Sequence, residues 1–258
     1  MWLLLTPIKW NTSSTFILPD GTRFDYPFRS SIGRLLYVGT GFEVAELAYL
    51  LSAVRPGDIV LDVGANAGYY TVPLARRVGP SGHVYAFEPG QRELDLLRRN
   101  LCRYSLENVS IIPKAVSDTD GSAPFFFSHE GAMSSFRRTP HPDQQIYRED
   151  FVDTTTLDSF VREAGLSHVD VWKMDIEGAE MLAFRGGTSV LKMKPRVILF
   201  EAAAHIASAF GYSVEDIFAL VRSAGYDIYF FEDGAVKPVD PSDERHGKII
   251  HNYVALPH

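Results

Sequence analysis

The sequence predicts an α/β fold in which helices cover both faces of a mostly parallel sheet. Two observations carry this prediction. Short aliphatic runs alternate with amphipathic stretches through the middle of the chain, and several of these runs end in an acid. With 258 residues, 46% of them apolar, the chain is long enough to bury one large core.

The alternation begins with a β-α-β unit. Residues 58–63 form an aliphatic run, residues 67–78 have a helical pattern, and residues 83–88 form a second run. Residues 91–104 follow with leucines three and four positions apart, which is the pattern of an amphipathic helix. Residues 108–113 then predict a third strand.

The same alternation continues in the second half of the chain. Residues 152–165 predict a helix that Thr155 or Thr156 can cap. Residues 168–175 and 195–201 predict two further strands. Parallel strands joined in this way place helices on both faces of the sheet.

The C-terminal part departs from this pattern. A predicted helix over residues 213–225 and a strand over 226–232 are followed by a loop of about fifteen residues without helical character. A last strand over 248–256 then ends the chain. Strands joined without a crossover helix predict an antiparallel pair at one edge of the sheet.

We expect one domain over residues 55–258, with residues 1–54 packed on it as an N-terminal cap. The cap should contain a hairpin, residues 14–27 with a turn at Asp20-Gly21, and a helix, residues 42–54. Residues 121–150 are rich in Gly, Pro, Ser and His and interrupt the core. Such insertions often carry substrate contacts, so we expect a substrate-side loop there.

Composition and charge exclude several function classes. A formal charge of -7 without any Lys/Arg block argues against sequence-independent nucleic-acid binding, which needs a basic surface. No run approaches the ~20 apolar residues that span a bilayer, and the apolar residues 2–5 lack the features of a signal peptide. The single cysteine, Cys102, fits a reducing, cytoplasmic compartment. We therefore expect a small-molecule or glycan substrate. The oligomeric state stays open, with a homodimer as one alternative.

The strand ends indicate where a ligand binds. Ligands of open parallel sheets bind outside the carboxyl ends of the strands, where Asp62, Glu88 and Asp175 stand in this sequence. Glu88 follows Gly68 by twenty residues, a position from which an acid can accept hydrogen bonds from ribose hydroxyls. The turn IVLDVGANAGYYT is therefore typical of a nucleotide-like ligand.

The glycine spacing in this turn narrows the choice of cofactor. A dinucleotide site needs G-x-G-x-x-G, but Asn66 stands where the middle glycine should lie against a pyrophosphate. The form Asp-x-Gly-x-x-x-Gly instead favours backbone amides that face the carboxylate and amino group of a methionine moiety. A nicotinamide-dependent oxidoreductase remains the enzyme alternative, and a non-catalytic binding protein on the same scaffold is the other.

Six blocks of sequence resemble the FkbM family of S-adenosylmethionine (SAM)-dependent methyltransferases: LDVGANAGYYT, VYAFEPG, KAVSDTDG, TTTLDSF, WKMDIEGAEMLAFRGG and VILFE. They occur in the family's order between about residues 42 and 201. The resemblance implies a Rossmann-like class I methyltransferase fold with a seven-stranded, mostly parallel sheet and an antiparallel C-terminal edge strand. It also implies O-methylation of a sugar, glycolipid or polyketide-type natural product, with S-adenosyl-L-homocysteine (SAH) as the second product.

The resemblance also implies which residues hold SAM. The methionine moiety would contact the turn and the start of the helix below it: Asp62, Gly64, Ala65, Asn66, Gly68, Tyr69, Tyr70 and Thr71. Glu88 would bind the ribose, and the adenine would lie beside Ala115, Val116 and Ser117, with Asp118 as a further candidate. Asp175 would stand nearest the methionine and the methyl group.

The reaction centre is expected at the sequence MDIEGAE. Methyl transfer to an alcohol needs an aligned oxygen and a base, so Asp175, Glu177 and His205 are the catalytic candidates. Glu180 has the alternative role of a first-turn acid. The substrate-side candidates are His129, Met133, Ser134, Ser135 and Glu201. Asp175, Glu177 and Glu201 could together hold Mg²⁺, but the residue types assign no metal, and the acceptor stays unidentified.

Overall fold

A computed structural model describes residues 13–28, 30–39, 41–140, 144–249 and 251–258. The first twelve residues of the expected cap lie outside these ranges. The strands are β1 (Ser13–Ile17), β2 (Arg23–Pro27), β3 (Ile59–Val63), β4 (His83–Phe87), β5 (Val109–Ile112), β6 (Ala115–Val116), β7 (Gly121–Ser128), β8 (Ile146–Thr155), β9 (Val171–Met174), β10 (Val197–Glu201), β11 (Tyr226–Glu232), β12 (Ala235–Pro238) and β13 (Asn252–Pro257). The helices are α1 (Ser31–Val38), α2 (Val44–Ala53), α3 (Thr71–Val78), α4 (Gln91–Cys102), α5 (Leu157–Glu163), α6 (Glu180–Arg185), α7 (Thr188–Lys192), α8 (Ala204–Ala207) and α9 (Val214–Ser223).

The central sheet has eight strands in the order β12-β11-β13-β10-β9-β3-β4-β5. Strands β10, β9, β3, β4 and β5 pair in parallel, as the alternation predicts. The predicted fold class is confirmed, with one strand more than the expected seven, because β12 pairs with β11 as a hairpin.

The position of the C-terminal strand corrects the expectation of an antiparallel edge strand. Strand β13 is antiparallel, but it lies between β10 and β11, and β12 forms the edge. The physical reason is that the central residues of β13 are apolar and need full burial. Tyr253, Val254 and Ala255 are each 0% exposed. Neighbouring strands on both sides and helices on both faces provide this burial, which an edge position would not.

Helices cover both faces of the sheet. Val171 and Trp172 are consecutive residues of β9, yet they belong to hydrophobic clusters on opposite faces. Trp172 packs with Phe184 of α6, and Val171 shares its cluster with Leu74 of α3. Among the residues described, no helix has the length and apolar character needed to cross a membrane.

The N-terminal segment packs on the helical layer next to the candidate site. Strands β1 and β2 form an antiparallel hairpin, and α2 follows, with α1 as an additional helix between them. Asn100 of α4 ties this segment to the core: its side chain accepts a hydrogen bond from the Asp25 amide (2.8 Å) and donates one to the Ala67 carbonyl (2.8 Å). The domain boundary between residues 54 and 55 stays a prediction.

The segment expected as a substrate-side insertion, residues 121–150, contains strand β7 and the first five residues of β8. Strands β7 and β8 pair antiparallel, and β6 adds to β8 in parallel. In β7, Phe125 and Phe127 alternate toward a small buried cluster, which explains why this region forms strand. Thr156 follows β8 and caps α5, accepting a hydrogen bond from the Ser159 amide (3.0 Å).

Candidate functional site

A cleft that is partly open to solvent lies at the carboxyl ends of β3, β4 and β9. Its position agrees with the rule for ligands of open parallel sheets. The core lines it with Val63, Gly64, Ala65, Asn66, Ala67, Tyr69, Tyr70, Phe87, Glu88, Pro89, Lys114, Ala115, Val116, Lys173, Asp175, Ile176 and Glu177. The insertion and the N-terminal segment add Phe125, Gly131, Ala132, Ser134, Phe136, Tyr26, Ile32 and Phe42.

The turn after β3 brings the chain close to the end of β9. Gly64, Asn66 and Gly68 have φ values of 80°, 48° and 91°, in the left-handed region. A Cβ atom on Gly64 would lie 2.0 Å from the carbonyl oxygen of Asp175, so only glycine fits. The positive φ of Gly68 also explains why α3 begins at Thr71 rather than at the predicted residue 67.

The backbone amides of this turn are engaged within the protein. Gly64 and Ala65 donate to the Phe87 carbonyl (3.0 and 2.9 Å), and Gly68 donates to the Ala65 carbonyl (2.8 Å). The Asn66 amide donates to Glu88 (2.9 Å), while its side chain accepts from the next amide (2.7 Å). The end of β4 thus accepts the amides of Gly64, Ala65 and Asn66, and the turn itself accepts those of Ala67 and Gly68. A contact of this turn with a methionine moiety stays a prediction.

Glu88 is held in a fixed orientation at the cleft wall. Its two carboxylate oxygens accept hydrogen bonds from the amides of Asn66 (2.9 Å) and Gly90 (2.7 Å). Each of these oxygens can accept a second hydrogen bond. Burial is the main cause that raises the pKa of Glu88 to about 8, and the charge of Glu93 adds to it. The arrangement suits a ligand with two hydroxyl donors.

Lys173 is a cleft residue that the sequence interpretation missed. Its ammonium group donates to the Gly64 carbonyl (3.1 Å), forms an ion pair with Asp62 (3.4 Å), and lies 4.9 Å from the Tyr70 ring centre. Burial alone would lower the pKa of Lys173, but the carboxylates around it, Asp62 first, raise it above the usual value. A charged residue within the apolar strand VWKM was the available signal.

Asp62 and Thr71 lie behind the cleft wall rather than on it. Asp62 is fully buried and accepts a hydrogen bond from the Thr71 hydroxyl (2.6 Å) as well as pairing with Lys173. Gly68 likewise packs away from the cleft, since a Cβ there would meet Leu97 at 2.7 Å. These predicted cofactor contacts therefore support the lining residues from behind.

Three acidic side chains, of which Asp175 and Glu177 line the cleft, converge on one another. One carboxylate oxygen from each of Asp175, Glu177 and Glu201 lies within 4.8 Å of the other two. Burial raises the pKa of Glu177 well above its usual value, and the charges of Asp175, Glu180 and Glu43 add to the effect. Burial and then the charge of Glu177 do the same to the pKa of Glu201.

Glu43 enters this group from the N-terminal segment. Its carboxylate accepts hydrogen bonds from the Tyr70 hydroxyl (2.9 Å) and the Asn252 side chain (3.1 Å). Burial, followed by the charge of Asp175, raises the pKa of Glu43 to about 7, against the opposing effect of Lys173. No sequence pattern identified Glu43, because its position depends on contacts between residues far apart in the chain.

Glu180 and Ser135 hold the turn that follows β9. Glu180 accepts hydrogen bonds from the amides of Ile176 (3.0 Å) and Gly178 (3.4 Å), in agreement with its alternative role at the start of α6. Ser135, a substrate-side candidate, donates to the Glu177 carbonyl (2.6 Å) and so joins the insertion to this turn.

The remaining substrate-side and base candidates are dispersed. His205 is exposed on α8, with its ring 5.9 Å from that of His251, and is not among the residues that line the cleft. His129 lies in an adjacent pocket, with its ring 4.9 Å from the Tyr147 ring. Ser134 lines the cleft, whereas Met133 does not.

The predicted adenine contacts are only partly on the cleft. Ala115 and Val116 line it, close to the aromatic residues contributed by the insertion. Ser117 is buried beside them and donates its amide to the Thr155 carbonyl (3.0 Å). Its hydroxyl is 3.4 Å from a carboxylate oxygen of Asp118.

Comparison with known proteins gives consistent results. The profile of the methyltransferase FkbM domain matches residues 62–228. The 2-O-methyltransferase NoeI of Sinorhizobium fredii is 32% identical over 162 residues, which cover 57% of this chain and 64%, less than two thirds, of NoeI. The 31-O-demethyl-FK506 methyltransferase FkbM of Streptomyces tacrolimicus is 26% identical over 211 residues, 70% of this chain and 76% of that protein.

A solved structure from Clostridium thermocellum, described as a candidate rRNA methylase, superposes with a TM-score of 0.50. The superposition covers 82% of this chain and 92% of that one at 12% sequence identity. At this identity the likeness shows a shared fold alone.

Proposed function

The chain belongs to the FkbM methyltransferase family, and from this premise we propose that it is a SAM-dependent O-methyltransferase acting on a hydroxyl group of a sugar, glycolipid or polyketide-type natural product. The observation that carries the proposal is that Glu88 and the acids Asp175 and Glu177 line one and the same cleft. The names of NoeI and FkbM, which both specify O-methylation, support this choice of acceptor atom.

The residues of the cleft fit SAM in shape and charge. Glu88 offers both carboxylate oxygens to the ribose hydroxyls, and apolar side chains including Pro89, Val116 and Phe136 suit the adenine. Lys173 and Asp175 offer opposite charges for the carboxylate and ammonium groups of the methionine moiety. The negative charges of Asp175 and Glu177 would also stabilise the cationic sulfur of SAM.

Bound SAM supplies a methyl carbon on a cationic sulfur; transfer forms the oxygen–methyl bond, breaks the carbon–sulfur bond with its electron pair left on sulfur, and releases one acceptor proton. The chain must therefore align the acceptor oxygen and accept this proton. Asp175 and Glu177 are the proposed groups for both tasks. Burial and the neighbouring acids raise the pKa of Glu177, so that its carboxylate is a stronger base than that of an exposed glutamate.

The experiment that tests the proposal has two stages. The thermal stability of the purified protein is compared with SAH and with NADH, and stabilisation by NADH alone would favour the oxidoreductase. The protein is then incubated with methyl-labelled SAM and metabolite extracts, and products are read by mass spectrometry. A labelled methyl ether establishes the reaction. Stabilisation by SAH without labelled product from sugar, glycolipid or polyketide extracts would instead indicate a non-catalytic SAM-binding protein.

A further inference from the structure

We propose that Asp175, Glu177 and Glu201 form a binding site for one hard divalent cation of the Mg²⁺, Mn²⁺ or Ca²⁺ class. Two of the three residues, Asp175 and Glu177, line the cleft. The binding of the ion stands on the geometry of these side chains alone. Its role beside the acceptor oxygen rests on the proposed methyltransferase function.

The spacing of the three carboxylates is that of a coordination shell. Asp175 follows β9, Glu177 lies in the turn after it, and Glu201 ends the neighbouring parallel strand β10, in which Phe200 pairs with Met174. One oxygen from each group lies within 4.8 Å of the others. Oxygen ligands on opposite sides of Mg²⁺ or Ca²⁺ are separated by roughly 4 to 5 Å. The three groups can therefore reach one ion with small side-chain movements.

Glu177 is buried, yet its carboxylate has no partner within the described part of the chain. It is 7% exposed, accepts no hydrogen bond and forms no ion pair there, and it points at Asp175 and Glu201. Its oxygens open into the cleft that Glu177 lines, and the burial of the rest of the residue disfavours their negative charge unless it is paired, protonated or bound to a metal.

Other acids around the cluster contrast with Glu177. Glu88 accepts two backbone amides, Glu180 accepts two more, and Glu43 accepts hydrogen bonds from Tyr70 and Asn252. The fold therefore supplies donors to the acids around the cluster. It leaves the three converging oxygens free to bind something else.

The charges around the cluster also favour a cation. The groups that raise the pKa of Glu177 are other acids, in addition to its burial. Lys173, the nearest buried cation, is already engaged with Asp62 and the Gly64 carbonyl. Because all three ligands are oxygens, without His or Cys, a hard cation fits better than zinc.

A cation at this place would leave positions open toward the cleft. An acceptor with two adjacent oxygens, such as a vicinal diol or a hydroxyl beside a carbonyl, could fill two of them. The ion would then orient the reacting hydroxyl and lower its pKa, so that the proton could leave to solvent while Asp175 and Glu177 align the acceptor as ligands of the ion. This geometry favours sugars and oxygenated polyketides with neighbouring oxygens over isolated alcohols.

Mn²⁺ is the probe for the test. The protein is stripped with EDTA, exchanged into metal-free buffer with saturating SAH, and titrated while free Mn²⁺ is followed by electron paramagnetic resonance. We expect one Mn²⁺ per chain, displaced by Mg²⁺ or Ca²⁺. Glu177→Gln and Glu201→Gln should each raise the Kd at least tenfold. Glu244→Gln, at a side chain that is 91% exposed, is the matched control and should leave the Kd unchanged.

Melting temperature and SAH affinity, measured on each variant, show that the fold and the cofactor site persist. The cation site is overturned if wild type does not bind Mn²⁺ stoichiometrically or if all variants bind it equally. Either result leaves the proposed methyl transfer unaffected. Methyl transfer that continues at full rate in EDTA overturns the role of the ion at the acceptor. Stoichiometric Mn²⁺ binding that the two cleft variants lose supports the site, even where no methylated product forms.

Discussion

The amide nitrogen of Asn66 donates a 2.9 Å hydrogen bond to the carboxylate of Glu88. This contact joins the turn after β3 to the end of β4, and the Gly90 amide fixes the second oxygen from the other side. The protein thus sets the direction of the Glu88 carboxylate before any ligand arrives. Preorganisation of this kind reduces the entropy lost on binding.

Glu88→Gln is expected to weaken SAH binding. Above pH 8, where the Glu88 carboxylate is ionised, the amide keeps the shape of the side chain but loses the charge and one acceptor, and hydrogen bonds to charged groups contribute about 1.5–3 kcal/mol. The Kd measured by calorimetry should therefore rise about 10- to 100-fold. Asp95→Asn, on the exposed face of α4, serves as control and should change the Kd little. An unchanged Kd for Glu88→Gln would remove Glu88 from the proposed ribose site.

The unfolding free energy of the ligand-free protein should fall as pH rises. Burial, with a smaller contribution from Glu93, raises the pKa of Glu88 to about 8 in the folded state. Between about pH 5 and 8 the folded chain keeps a proton that the unfolded chain has released, so rising pH favours unfolding. Urea titrations should show that the unfolding free energy falls between pH 5 and 8 by on the order of 1–3 kcal/mol more for wild type than for Glu88→Gln. Parallel profiles would contradict the raised pKa.

Lys173→Met should destabilise the protein strongly. The change leaves Asp62 buried without its ion-pair partner, which typically costs about 3–5 kcal/mol of unfolding free energy. Lys237→Met removes the cation of an exposed pair with Glu232 and should cost less than about 1 kcal/mol. Urea unfolding measures both. Adding Asp62→Asn to Lys173→Met should restore part of the loss, and failure to do so would argue against the pair as the cause.

Gly64→Ala should be far more costly than Gly211→Ala. Both glycines have positive φ, at 80° and 81°, and a left-handed backbone costs an alanine about 1–2 kcal/mol. A Cβ on Gly64 would also lie 2.0 Å from the Asp175 carbonyl, whereas a Cβ on Gly211 would meet nothing within 4 Å. We expect a further loss of roughly 2 kcal/mol or more at Gly64, by urea unfolding, together with weaker SAH binding. Equal losses would show that the close approach to Asp175 is unimportant.

Asp175→Asn and Glu177→Gln should lower the rate of methyl transfer, and SAH affinity should change only a few-fold for Glu177→Gln, since Asp175 is also the proposed partner of the SAM ammonium group. Positioned acid–base groups contribute typically ~10²- to 10⁴-fold to rates, so a decrease in that range is expected in the labelled-product assay. His205→Asn provides the comparison, because that ring is exposed and does not line the cleft. A larger loss at His205 than at the two acids would reassign the base.

Much of the sheet could be predicted from local patterns. Parallel strands buried on both faces, such as β3 and β4, leave continuous apolar runs, and Thr156 carries a recognisable cap signal. Strand β13 shows the limit of this approach. Its apolar residues predict a strand, but its insertion between β10 and β11 depends on which partners bury it best.

The candidate site likewise contains some residues that local patterns predict and others that only the folded structure identifies. Because strand ends meet at one edge of a parallel sheet, the sequence by itself determined that Glu88 and Asp175 face a common cleft. The tertiary structure alone decided that Glu43 joins them from the N-terminal segment, and that Glu201, not His205, converges on Asp175. It also decided that the amides of the turn are already bonded to Phe87 and Glu88. The physical reason is that hydrogen bonds, burial and charge compensation depend on distances between atoms far apart in the chain, which a local sequence pattern does not contain.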